Sequence, residues 1–259
     1  MLDGLIDGRH SPKIVLPASA GITMTEAEWL ASDDPAPMLE FLRGQMVPKV
    51  LQLGAGRTRE VQHYPDAKAD RKLRLFACAC CRRLWRLLED QRSRDAVMVG
   101  ERYADEGATA DEFSAARRGA IAAAHAVHVP PGSRSGRRLQ VAAYIVGWAT
   151  SDGWDALKGT GKLVHRDLQA RLIRCIFGNP FRPVVLDVAW RTPTVVALAT
   201  AAYDNRILLA NSLSPDHLAV LSDALEDAGC DNDDILSHLR GPGPHVRGCW
   251  VIDLLLGKE

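Results

Sequence analysis

Residues 70–88 read DRKLRLFACACCRRLWRLL and carry the clearest periodic pattern in the chain. Apolar side chains recur at intervals of one, three and four residues, which is the spacing of one face of an α-helix. They are Leu73, Phe76, Ala77, Cys80, Leu84, Leu87 and Leu88. Further apolar side chains widen this face, and basic side chains occupy the opposite side. The pattern predicts a central helix over residues 69–90 that is buried on a broad face.

Helix signals continue towards the C-terminus. Ser93 and Thr109 are predicted to cap the next two helices, and Thr192 and Ser214 each precede a proline suited to the first helical position. Apolar periodicity predicts further helices at 138–150, 162–177, 232–239 and 245–256. We therefore expect an all-α fold, a single compact domain of about eight to ten helices.

The composition excludes several classes of protein. Of 259 residues, 47% are hydrophobic and 25% charged, which is ordinary for a globular protein and unlike a chain that is disordered throughout. With 21 glycines and six cysteines, the chain is neither collagen-like nor a disulfide scaffold. No stretch resembles a membrane span or a signal peptide, so we expect a cytoplasmic protein with reduced cysteines and no membrane partner. Residues 1–23 are expected to form a poorly ordered leader, and residues 24–259 the helical domain.

The 32 basic and 32 acidic side chains cancel overall but are separated along the sequence. Residues 68–94 carry a net charge of +6 and residues 117–182 carry +8, whereas acidic side chains dominate the other segments. Such blocks most often neutralise each other in the folded chain. In a second interpretation, the basic segments 68–94 and 134–138 bind nucleic acid or another anion. The side chains involved would be Lys72, Arg82, Arg83, Arg86 and those of a basic loop at Arg134–Arg138.

Cysteine and histidine residues near the C-terminus are weak candidates for a metal site. Cys230, His238, His245 and Cys249 are separated by eight, seven and four positions, which matches no zinc-finger pattern. We therefore predict no metal, and keep a structural Cys₂His₂ site as the alternative. Cys78 and Cys81 have C-x₂-C spacing, but no second pair exists. Their place on an apolar helix face predicts buried thiols instead.

The string RGPGPHVRGCWVIDLLLGKE covers residues 240–259 and is the most distinctive one. A helix starting at 245 would leave the first backbone amides without partners, and arginines flank this point. Arg240, His245 and Arg247 are therefore the candidate anion-binding residues. A tight turn between helices is the alternative. Asp253 is expected on the polar side of the final helix, and a pocket joining it to His245 and Arg247 would favour an enzyme.

No catalytic motif is evident. LQLGAGRTRE, at 51–60, resembles the glycine-rich motif of methyltransferases that use S-adenosylmethionine, but no alternation of strands and helices follows it. A short hairpin or an insertion is the predicted structure there. Signatures of serine hydrolases, zinc proteases and P-loop proteins are absent. We predict no catalytic residue and no cofactor.

Five strings together resemble an uncharacterised family of bacterial proteins, a large paralogous set from planctomycete-type genomes. The strings are MTEAEWL, PMLEFLRG, DRKLRLFACACCRRLW, RCIFGNPFRPV and RGPGPHVRGCWVIDLLLGKE. The resemblance covers most of residues 24–259 and implies no particular activity. Sequences of this family run almost directly from FLRG to DRKLRLF, so the resemblance implies an insertion at 46–69 in this chain.

Three functional hypotheses follow. The first is a non-enzymatic helical module that binds a protein partner, because charge blocks and apolar helices are present without catalytic motifs. The second is an anion- or nucleic-acid-binding protein, although few aromatic side chains are available to stack on bases. The third is an enzyme with its site in the loop and helix at 240–253.

Overall fold

The computed structural model describes residues 23–46, 51–53, 57–59, 67–130, 132–149, 163–207 and 211–258. Within these ranges the chain is all-α, as predicted, with eleven α-helices around one hydrophobic core. The expected leader, apart from Thr23, and most of the expected insertion at 46–69 lie outside the described residues. Across the described ranges, no helix combines the length and the apolar character needed to cross a membrane.

The described elements are eleven α-helices, two 3₁₀ helices and one β-hairpin. In chain order, the helices are α1 (Glu26–Ala31), α2 (Pro35–Met46), α3 (Ala67–Arg83), α4 (Gln91–Ala104), α5 (Ala110–Ala126), α6 (Arg134–Ala149), α7 (Arg166–Phe177), α8 (Pro193–Asp204), α9 (Pro215–Asp227), α10 (Asp233–Arg240) and α11 (Trp250–Leu256). Short 3₁₀ helices cover Trp85–Leu87 and Val188–Trp190. β1 (Leu51–Leu53) pairs with β2 (Arg57–Arg59) in an antiparallel hairpin, which agrees with the hairpin expected there.

Helix α3 is the central element of the core. Its fully buried residues include Leu73, Phe76, Ala77 and Cys80. The helix packs against α4, α6 and α7. The predicted helix over 69–90 is too long, since α3 ends at Arg83 and the chain tightens into a 3₁₀ helix. In that turn the Leu87 amide donates to the Leu84 carbonyl at 2.7 Å, and Leu88 remains buried.

Two predicted helix starts are wrong because an upstream side chain caps the helix earlier. Asp90, rather than Ser93, caps α4, and Ser93 is buried within its first turn. The predicted basic loop at Arg134–Arg138 is helical. The Ser133 hydroxyl accepts a hydrogen bond from the Gly136 amide at 3.0 Å, which starts α6 at residue 134. By contrast, the predicted caps at Thr109 and Thr192 are confirmed.

The final helix starts at Trp250 rather than at 245. Residues before it are held in an extended turn, in which the Leu213 amide donates to the His245 carbonyl at 2.9 Å. Gly248 has φ +87°, and a Cβ atom there would lie 2.7 Å from the Leu75 side chain. The chain therefore passes too close to α3, in a conformation too unusual, for any residue but glycine.

A buried carboxylate connects several of these elements. Asp105 follows α4 and accepts hydrogen bonds from Arg71 of α3 at 2.7 Å, from Arg247 at 2.7 Å and from the Tyr203 hydroxyl of α8 at 2.5 Å. Arg71 also binds Asp253 of α11 at 2.5 Å. The prediction for Asp253 is wrong, because its side chain is fully buried rather than on a polar face.

The two carboxylates of this network differ in their proton affinity. Burial raises the pKa of Asp253 to about 6, although Arg71 acts in the opposite direction. Burial also favours a higher pKa for Asp105, but the Tyr203 hydroxyl and the two arginines outweigh it and lower the pKa below its ordinary value. Asp105 therefore stabilises the fold above its unfolded-state pKa of about 3.9, and this contribution is lost as pH falls through the lower folded-state value.

Asp105→Asn is expected to lower the free energy of unfolding by about 3–5 kcal/mol, because it leaves the buried charges of Arg71 and Arg247 without their shared counter-ion. Asp223→Asn is the matched control. Asp223 also binds an arginine, Arg240, but its side chain is 73% exposed, so a change below about 1 kcal/mol is expected. Urea unfolding followed by circular dichroism measures both. Equal destabilisation would contradict the role assigned to Asp105.

Candidate metal centre

Four potential metal ligands meet where three segments of the fold converge. Cys175 lies in α7, His238 lies in α10, and His245 and Cys249 belong to the turn before α11. One ligand atom from each residue lies within 4.8 Å of the other three. The edges of a tetrahedral zinc site measure about 3.3–3.8 Å, given the usual Zn–N and Zn–S bond lengths. The ligand atoms are therefore at most about 1.5 Å farther apart than they would be around a single tetrahedral ion.

Each ligand is positioned by its own segment. Cys175 lies on the buried face of α7, beside the core residue Ile176. Asn232 caps α10 by accepting a hydrogen bond from the Ile235 amide, and this helix carries His238. The turn that holds His245 and Cys249 is closed by the Cys249 amide, which donates to the Val246 carbonyl at 2.9 Å.

His245 has the hydrogen bonding expected of a metal ligand. Its Nε2 atom lies 3.1 Å from the Gly241 carbonyl oxygen, which can only accept, so Nε2 carries the proton. In the neutral ring, Nδ1 then has a free lone pair. Nδ1 is buried and has no hydrogen-bond partner. Ligating histidines almost always donate their other ring N–H to a carbonyl or a carboxylate in this way.

The two thiols form an unequal pair. Burial favours a higher pKa for Cys249, but a hydrogen bond with Cys175 and the nearby rings of His238 and His245 lower it well below its ordinary value. The same hydrogen bond, together with burial, raises the pKa of Cys175. His238 Nε2 lies 3.2 Å from Cys249 Sγ. Cys249 is therefore the thiol most easily converted to the thiolate that binds metals.

Aromatic packing restrains His238, which is partly buried. The centre of the Trp250 ring lies 5.4 Å from the centre of the His238 ring. The His245 ring lies 4.8 Å from the His238 ring and is nearly perpendicular to it. Gly178, at the end of α7, allows the indole this position, since a Cβ atom there would lie 3.2 Å from Trp250. Trp250 is partly exposed and forms one wall of the site.

Three of the four clustered residues, His238, His245 and Cys249, are among the weak candidates that the sequence offers, and the fourth is not. Cys230 is wrong as a fourth member. It follows α9, its amide donates to the Leu225 carbonyl, and it is outside the cluster. Cys175 takes its place, although it is 63 positions before His238 in the sequence. The sequence offered one indication of Cys175, namely its position on the apolar face of α7. An ordinary core residue occupies the same kind of position.

The other predicted thiols are buried as expected. Cys78, Cys80 and Cys81 are at most 1% exposed, and burial raises the pKa of each. All six cysteines of the chain are free of disulfides. None of the three α3 cysteines belongs to the cluster of potential ligands.

The predicted anion cradle is wrong in its arginines and in its helix start. Arg240 binds the carboxylates of Glu226 and Asp223, and Arg247 binds the buried Asp105. The amides of residues 245–247 precede α11 by several positions, so they are not at a helix N-terminus. His245 faces the cluster of potential metal ligands instead.

A cleft of about 540 Å³ opens beside the cluster. Cys175, His238 and His245 lie in its lining, and most of the remainder comes from residues 177–184 and 241–244. Arg247 and Asp253 are absent from its described lining, so this cleft does not join them to His245.

The four ligands and the cleft thus define the candidate site by geometry alone. The donor set contains two sulfur and two nitrogen atoms, and three of the four residues are less than 7% exposed. In comparisons with known proteins, no family model, curated protein or solved structure matches this chain.

Proposed function

We propose that this chain binds one Zn²⁺ ion through Cys175, His238, His245 and Cys249, and that the ion is structural. The observation that carries the proposal is the convergence of the four ligand atoms within 4.8 Å of one another. The ion would connect α7, α10 and the turn before α11. It would thereby fix one side of the cleft beside the site.

The donor set favours zinc over other common ions. Mg²⁺ and Ca²⁺ prefer oxygen ligands, and the cluster offers none. Two thiolates and two imidazoles in a tetrahedral arrangement suit Zn²⁺, which has no redox chemistry and no geometric preference of its own. The lone pair of His245 Nδ1 is available to bind a metal ion, because no hydrogen bond occupies it.

A structural role is supported by the number and burial of the donors. Four protein ligands fill a tetrahedral zinc ion, whereas catalytic zinc sites use three and keep a position open for water. Cys249 is fully buried and Cys175 is 2% exposed. Because the ligands come from distant segments, the site forms only in the folded chain, and binding free energy becomes folding free energy.

The other hypotheses have less support. In the basic segment 68–94, Arg71 binds Asp105 and Asp253, and Arg82 binds Glu101 in a buried pair. These charges are neutralised within the fold, which argues against a nucleic-acid surface on this segment. The interaction module stays a prediction, and zinc binding is compatible with it.

Purified protein is expected to contain one equivalent of zinc, and Cys249→Ser to lose it, because a serine hydroxyl is a poor zinc ligand. Cys230→Ser is the matched control, since Cys230 is also buried but lies outside the cluster. Elemental analysis measures the metal. Replacement by Co²⁺ should give the visible absorption of tetrahedral cobalt thiolate in the wild type and in Cys230→Ser only. If His238→Gln, a change at a partly buried position, also retained stoichiometric metal, the proposed ligand set would be wrong.

Removal of zinc is expected to destabilise the domain. At a free zinc concentration 1,000-fold above Kd, binding contributes about 4 kcal/mol, so a strong chelator should lower the melting temperature by roughly 10 °C. The apparent zinc affinity should fall as pH is lowered, because the thiols and imidazoles must lose their protons to bind. Differential scanning fluorimetry follows both effects. The same chelator should leave Cys249→Ser unchanged, and an equal shift in that variant would show that the metal acts elsewhere.

A further inference from the structure

Two arginines line the cleft without a carboxylate partner. Arg171 of α7 donates to the Gly243 carbonyl at 2.6 and 3.2 Å, and Arg174 donates to the carbonyls of Trp29 at 3.0 Å and Ser32 at 2.8 Å. Among the described residues, no carboxylate lies within 4.0 Å of either guanidinium group. This distinguishes them from Arg71, Arg82, Arg240 and Arg247, which all form ion pairs.

Among the described residues of its lining, the cleft has more guanidinium groups than carboxylates. Arg171, Arg174 and Arg182 are in the lining, against the two carboxylates of Glu26 and Asp234. Glu26 is already bound by Arg182 at 2.6 Å and by the Asn179 amide at 2.7 Å. A zinc ion with two thiolates and two neutral imidazoles is uncharged overall, so the proposed metal would not alter this balance.

Partial burial makes it costly to leave the Arg174 guanidinium group without a carboxylate partner. Arg174 is about half buried, and burial lowers its pKa; the charge of Asp33 opposes this shift, and the charge of Arg171 adds to it. Cations that are partly removed from water are stabilised by an anion that replaces the lost hydration. The cleft therefore offers a favourable position for a negative group from outside the described chain.

The remainder of the lining is largely apolar. Phe177, Pro244, Trp250 and Leu254 border the same space as the arginines. A volume of about 540 Å³ is within the range of pockets that bind small organic ligands. A ligand that fills it would meet cations on one part of its surface and aromatic or aliphatic side chains on another.

We propose that the cleft binds a small organic anion, in which a phosphate or carboxylate group contacts Arg171 and Arg174 and a planar apolar body packs against Trp250. Guanidinium groups bind both kinds of anion through paired, charge-assisted hydrogen bonds. The wall residues Pro244 and Trp250 are the sequence neighbours of the proposed zinc ligands His245 and Cys249. The shape of this wall therefore rests on the proposed zinc site. The proposal does not require the metal to contact the ligand.

Phenyl phosphate is the probe for this site, because it combines a phosphate with a single aromatic ring. Isothermal titration calorimetry of the zinc-loaded protein is expected to show saturable binding of one equivalent. Benzoate, titrated separately, distinguishes a carboxylate group from a phosphate group. Inorganic phosphate and phenol should each bind more weakly, since each lacks one half of the proposed contacts. Zinc content is measured in every sample, so that loss of the metal is distinguished from loss of the anion site.

Arg171→Gln is expected to weaken phenyl phosphate binding at least about tenfold, the usual effect of losing a charged hydrogen bond. Arg137→Gln is the matched control, since Arg137 is exposed on α6 and, like Arg171, donates to a backbone carbonyl. Ser237→Glu provides an independent test without loss of a structural contact. Ser237 is exposed in the cleft lining, and a carboxylate there should repel the anion, whereas Ser237→Gln should not.

The proposal is overturned if neither phenyl phosphate nor benzoate binds the zinc-loaded protein at millimolar concentration. It is also overturned if Arg171→Gln and Arg137→Gln, with equal zinc content, bind the probe equally. Inorganic phosphate binding as tightly as phenyl phosphate would remove the role of the apolar wall. If zinc were absent but binding of the probe followed the expected pattern, the anion site would stand and the metal proposal would fail.

Discussion

The buried carboxylate of Asp105 is the constraint on which the C-terminal part of the fold depends. Arg247 binds Asp105 and lies between His245 and Cys249, and Arg71 links Asp105 to Asp253, four residues beyond Cys249. The turn that carries two potential zinc ligands is therefore attached to α3 and α4 on both sides of Cys249. A buried ion pair is costly to form, but once it is complete, the loss of one member leaves an uncompensated charge. This makes the path of the turn strongly determined.

The proposed zinc ligands and the ion network lie on different faces of the same turn. Arg247 points to the network, whereas His245 and Cys249 point to Cys175 and His238. Small zinc fingers need their metal because they have almost no core. This domain has an extensive core of its own, with α3 at the centre. The proposed metal would therefore fix the junction of α7, α10 and α11 and would not be the origin of the whole fold.

The distribution of ion pairs distinguishes the two arginines of the cleft, Arg171 and Arg174, from the arginines that bind carboxylates. Oppositely charged blocks of the sequence meet in the fold, as Arg71 with Asp105 and Arg82 with Glu101 show. Arg171 and Arg174 belong to the second basic block, yet among the described residues their hydrogen-bond partners are backbone carbonyls. They differ from the paired arginines because they border an open cleft, where an anion from outside the chain can reach them.

The sequence by itself determined the all-α class, the buried apolar face of α3 and the helix starts at Thr109 and Thr192, because helical periodicity and capping act over a few residues. It also offered His238, His245 and Cys249 as weak candidates for a metal site, together with Cys230, because all four lie near one another in the sequence. Only the tertiary structure replaced Cys230 with Cys175, because a buried cysteine on α7 has the same local pattern whether it packs in a core or faces three other ligands. Burial of Asp253 and pairing of Arg247 were likewise decided by long-range contacts. A charge on a helix face reveals nothing about the opposite charge that folding brings to it from more than a hundred residues away.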